Sequence, residues 1–148
     1  MAIQYSINLR QNLASAIGLF LGNTTTACPT VAPTTGTFSI NLYTGAPPAN
    51  CATAEAGTLL ATGSLPLGAN LASGTGAVAT SLVGTWTMTG SAGAGGTAGH
   101  FRVLDSAGNC VMQGTAGTSG TDMILASATI APGMTINITS FTDTIGGA

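Results

Sequence analysis

Only six side chains of this 148-residue chain carry a formal charge at neutral pH: Arg10, Glu55, Arg102, Asp105, Asp122 and Asp143. They make up 4% of the residues, where an ordinary globular domain has roughly 25%. There is no lysine, and His100 is the one histidine. A folded monomer of 14.3 kDa exposes roughly 6,800 Å², so each charge serves about 1,100 Å² of surface. The remaining surface must be built from Thr, Ser, Gly and Ala, which together exceed half the chain. Such a surface is wettable yet cheap to desolvate, which suits a chain covered by other protein. The rival reading is an extracellular monomer with a bland, Thr-rich surface. A net charge of −2 gives little repulsion between copies.

The same scarcity excludes several classes of function. Phosphate-led binding of nucleic acid needs clustered Lys and Arg, and two arginines make no cluster. A polybasic membrane-surface site fails for the same reason. Mean hydropathy is +0.47, but no apolar run reaches the roughly 18 residues of a spanning helix. Neither membrane nor nucleic acid is therefore an expected partner. Disordered chains pair low hydrophobicity with high net charge, and this chain has neither.

Along the chain the apolar period changes once. Leu9, Leu13, Ile17 and Phe20 follow a helical stripe after Ser6, and Gly22-Asn23 is a stop, so the sequence predicts one N-terminal α-helix. A secretory leader would want a basic start, but Arg10 is the only basic residue there, so the segment is read as helix. Residues 23–36 form a Thr-rich loop with Pro29 and Pro33. From residue 37 the period becomes that of strands. Strands are expected at 37–43, 58–64, 77–82, 84–89, 100–104, 110–113, 122–128 and 134–141. Pro47 and Pro48 mark a turn, and loops are expected at 70–76, 90–99 and 114–120. The clearest hairpin joins 100–104 to 110–113 through residues 105–109. The fold class is mainly β: an antiparallel β-sandwich or barrel, jelly-roll-like or Ig-like, of about eight short strands preceded by one helix. The chain divides into a helix and Thr/Pro-rich arm over 1–36 and a β domain over 37–148. Edges cannot be guarded by charge, so bulges, loops, the helix or a neighbour must cap them.

Chemistry-bearing residues are few. Cys28, Cys51 and Cys110 contain no CxxC, and with one histidine no zinc set exists. One disulfide, Cys51 with Cys110, would suit a particle that ends outside the cell, but three reduced, partly buried thiols are the favoured reading. His100, Asp105 and a serine could be written as a triad, yet no G-x-S-x-G elbow occurs. His100 is read instead as a polar contact at a sheet end. Residues 93–99 resemble a phosphate loop but lack its lysine, and a strand follows where a helix should. Asp122 and Asp143 match no calcium loop. The Asn23 and Asn137 sequons are at chance level. Trp86 belongs mid-strand, in the core. Arg102 alternates with Phe101 and Val103 and so faces away from them. It should pair with Asp105, Asp122 or an acidic group on a neighbour, and the interface role is preferred. Leu13, Ile17 and Phe20 complete the interface candidates. No catalytic residue, metal or cofactor is expected.

Several stretches carry a resemblance. They are M-A-I-Q-Y-S (1–6), Y-T-G-A-P-P-A-N-C-A (43–52), G-T-L-L-A (57–61), G-T-A-G-H-F-R (96–102), Q-G-T-A-G-T-S-G-T-D (113–122) and I-A-P-G-M-T-I-N-I-T-S-F-T (130–142). Together these resemble small virion structural proteins of tailed phages and prophages, above all capsid decoration (cement) proteins. The likeness covers most of the chain after residue 40, and the N-terminal third matches less well. It implies a non-enzymatic, β-rich, often trimeric protein. Its partners would be the major capsid protein and other copies of itself. It would be assembled in the host cytoplasm and sit on the outer capsid surface. A tail or fibre module contacting the host surface is the alternative.

Overall fold

The computed structural model describes residues 39–64, 71–73, 80–82, 86–90, 95–105 and 107–143. The expected N-terminal helix, with Leu13, Ile17 and Phe20, lies outside the described residues, as does Cys28. Ten strands are described: β1 Ser39–Thr44, β2 Leu59–Ser64, β3 Leu71–Ser73, β4 Thr80–Leu82, β5 Trp86–Gly90, β6 Gly96–Leu104, β7 Cys110–Gly117, β8 Met123–Leu125, β9 Thr129–Ile130 and β10 Thr135–Asp143. The mainly β reading holds, and of sandwich and barrel the chain forms a barrel. Seven strands run in the order β10-β5-β2-β1-β6-β7-β8, and β8 pairs back onto β10 to close the ring. Closure removes the sheet edges of these seven strands without guarding charges, while β3 pairs with β4 and β4 with β10 outside the ring.

Closing so small a ring needs sharp local bends, and four register shifts supply them. Leu60 is the extra residue between the Leu42–Ala61 and Tyr43–Leu59 pairs. Gly99 is extra between Tyr43–His100 and Thr44–Ala98. Val111 and Thr139 are extra in β7 and β10. Inward positions then alternate as the pleat requires. Ile40, Leu42, Leu60, Met88, Phe101, Val103, Met123, Leu125, Ile136, Ile138 and Phe141 fill the interior, and the Phe101 and Phe141 rings meet edge to face at 5.4 Å.

Several sequence-based boundaries shift. Residues 71–73 and 96–99, expected as loop, are strand, and β7 continues to Gly117. Gly-rich composition argued for loops there, but pairing of Gly96 and Thr97 with β9 and of Ala98 with β1 decides the conformation of 96–99. β9, which was not expected, adds two residues beside the start of β6. β8 runs parallel to β7 over two residue pairs, against an expectation of antiparallel pairing throughout. The reversal is clamped: the Thr115 N–H and Oγ1 both donate to Asp122 Oδ2, at 2.8 and 2.7 Å, while the turn places Gly120 at φ +65°.

Candidate functional site

In a barrel with one wet face, strands read buried and exposed in alternation. β1 and β6 do not: residues 40–43 and 100–103 are all buried. Ile40, Leu42, Phe101 and Val103 face inward, so Asn41, Tyr43, His100 and Arg102 face out and yet lie under cover. Register pairs Asn41 with Arg102 and Tyr43 with His100, which makes these four one patch on the outer wall. The Tyr43 and His100 rings stack with centroids 5.3 Å apart.

The cover over this patch is the connection from β1 to β2, residues 45–58. It leaves β1 at Gly45 (φ +77°), and Pro47 and Pro48 bar it from helix or ladder. Asn50 Oδ1 accepts from Ala52 N, Thr53 N and Thr53 Oγ1, a local turn that needs no outside support. The wall then holds the loop from beneath. Arg102 Nη2 donates to the carbonyls of Thr53 (2.7 Å) and Asn50 (3.2 Å) and to Gln113 Oε1 (3.0 Å), and Arg102 Nε also reaches Gln113 Oε1 at 3.2 Å. Gln113 Nε2 donates to the Pro48 carbonyl at 2.6 Å. His100 meets the Gly45 carbonyl through Nδ1 and Glu55 Oε2 through Nε2, both at 3.0 Å. Both ring nitrogens face acceptors, so the pattern is complete when each carries a proton.

Glu55 is the hub. Its Oε2 takes His100 Nε2 and lies 3.2 Å from Arg102 Nε; its Oε1 takes the N–H groups of Ala56 and Gly57. Burial pushes this carboxyl up, but the hydrogen bonds from His100 and the two backbone amides and the nearby imidazole charge outweigh it and hold the group below its ordinary 4.5. One covalent tie completes the set. Cys51, in the loop, forms a disulfide with Cys110, at the start of β7, with Cα atoms 5.2 Å apart. This corrects the preference for three reduced thiols: the two residues are 59 apart in sequence, and only the folded loop brings them together.

Arg102 does face away from Phe101 and Val103, but its acid is Glu55 of its own chain, and Asp105 and Asp122 are occupied elsewhere. Asp105 Oδ1 accepts from the N–H groups of Ala107 and Asn109, and Oδ2 from Asn109 Nδ2. Those bonds, the Asn109 side chain's first, hold it below its ordinary value. His100 lies mid-strand, not at a sheet end, and is fully buried. A His–Glu dyad resembles part of a hydrolytic centre, but here both imidazole nitrogens are engaged, by the Gly45 carbonyl and by Glu55, and the ring is fully buried. No group of three or more His, Cys, Asp and Glu suited to a metal occurs among the described residues. Glu55 and Gln113 were missed as site residues. The readable signal was a polar pair two apart on one strand, His100 and Arg102, in a chain whose single glutamate lies in a Pro-containing loop. Comparison with protein-family models, curated proteins and solved structures returned no match. The site is an outer loop tied to the barrel wall by one disulfide and by the bonds of Glu55, His100, Arg102 and Gln113.

Proposed function

We propose that this chain is a non-enzymatic virion structural protein of a tailed phage, a decoration (cement) protein that binds the outer capsid shell and stabilises capsomer junctions. The carrying observation is how the scarce ionisable groups are used. Glu55, His100 and Arg102 are bound to one another and to the loop, Asp105 caps a turn, and Asp122 clamps the β7–β8 reversal. Each works inside the chain. Among the described residues, what these five groups leave for contact is a surface of mostly uncharged side chains that costs little to desolvate. The resemblance of residues 43–52, 96–102 and 113–122 supports the same reading, and those segments supply Cys51, Arg102, His100, Gln113 and Asp122. A disulfide suits a particle that ends outside the cell.

In this reading many copies dock on symmetry-related junctions, and multivalency turns weak contacts into a firm coat. Quantitative gel analysis of purified particles tests it. Decoration expects hundreds of copies per particle. A count of about a dozen or fewer would overturn it in favour of a tail or fibre module, and absence from particles would overturn both.

A further inference from the structure

We propose that the loop 45–58 is held on the barrel wall by two independent locks, the Cys51–Cys110 disulfide and the Glu55–His100–Arg102 cluster, so that it opens only when both are released. The covalent lock pins residue 51 beside the start of β7. On either side of that pin, the Asn50 and Thr53 carbonyls sit on Arg102, and carbonyls have no proton to gain. Acid alone therefore leaves the loop seated. The ionic lock grips the far half of the loop through Glu55, which receives two donors from β6 and two from its own backbone. Reductant alone at neutral pH therefore also leaves the loop seated. With both locks released, the buried guanidinium and imidazole lose their counter-charge and favour water, and nothing covalent resists.

The groups facing Glu55 can be named for each neighbouring element. β6 contributes His100 and Arg102, β7 the neutral Gln113 beside Arg102, and β1 the phenol of Tyr43 stacked on His100. Holding the Glu55 carboxyl below its ordinary value puts the ionic release on the acid side of 4.5. Opening would uncover Arg102, His100 and Gln113 together, a donor set matched to a carboxylate.

Amide hydrogen exchange on the full chain, expressed as protection relative to the unfolded rate, tests the proposal in four conditions: neutral, or acidified well below the ordinary 4.5 of the Glu55 carboxyl, each with and without a water-soluble phosphine. The phosphine takes the disulfide to two thiols while it becomes the phosphine oxide, with water supplying the oxygen and both protons. Protection of the Gln113 side-chain amide, which donates to the loop carbonyl of Pro48, should fall to near the unprotected level only in acid with phosphine, while ladder amides of β1 and β6 stay protected. Variants give the same readout at neutral pH without additives. Cys51→Ser/Cys110→Ser alone and Glu55→Gln alone should keep that protection, and the triple variant should lose it. Loss in either single-lock condition, retention with both locks gone, or collapse of the β1 and β6 amides together with the loop would each overturn the proposal.

Discussion

Arg102 shows what one charged residue does in a chain that has so few. Its fork reaches one carboxylate, one amide oxygen and two backbone carbonyls, and it is 5% exposed. Arg102→Leu keeps bulk but leaves the Glu55 carboxylate short of a donor and strands two carbonyls under the loop. The expected loss is about 3 kcal/mol of unfolding free energy, read from the shift in denaturant midpoint; an unchanged midpoint would mean the cluster adds no stability. Glu55 sets a pH dependence of defined sign. A carboxyl held below 4.5 in the folded chain contributes stability that is complete above that value and is lost as pH falls through the lower, folded one. Asp105 adds to the same arm from an exposed turn. Denaturation midpoints measured downward from pH 6 should therefore decline on the acid side of 4.5. The decline should be shallower in Glu55→Gln, and an equal slope in that variant would place the acid sensitivity elsewhere.

At the scale of elements, the bend at Gly99 lets the loop leave β1. A Cβ there would run into the Gly45 carbonyl, a backbone atom that cannot swing aside. Gly99→Val should thus lower the midpoint and expose the loop amides, whereas the same change at Gly108, where nothing lies within 4 Å of an added Cβ, acts only through backbone strain at φ +83°. Exchange measured on both variants separates the two effects, and equal loop protection in both would refute the role given to Gly99. The strands were legible where alternation was strong: 39–44, 135–141 and the hairpin around 105–109 all stand where Phe, Ile and Val alternate with polar residues. The start of β6 was not, because glycines at 96 and 99 carry no side-chain period, and their conformation follows from neighbours far away in sequence. The site was half legible for a similar reason. The orientation of Arg102 follows from the two-residue repeat of its own strand. Its partners Glu55 and Gln113 lie 47 and 11 residues away, so their approach depends on a loop path that no local pattern encodes.

At the scale of the whole molecule, the closed ring and the internal use of charge bear on how this chain meets others. The seven-strand ring has no free edge for strand addition, so contact of the ring with a shell would be made by side chains and loop backbone. The loop tip presents Ala46, Ala49, Ala52, Ala54 and Ala56, with the charge of Glu55 turned inward to His100 and Arg102. Contacts made by such a surface lose little when ions are screened, because screening at about 1 M salt shortens the reach of charge to roughly 3 Å. Attachment to particles should therefore persist from low salt to about 1 M. Apolar burial worth roughly 25 cal/mol per Å² does not fade with ionic strength. Sedimentation of particles across a salt series, followed by a gel of pellet and supernatant, provides the measurement. Release by salt alone would show that ion pairs hold the chain in place, and the inward use of its few charges would then say nothing about how it binds.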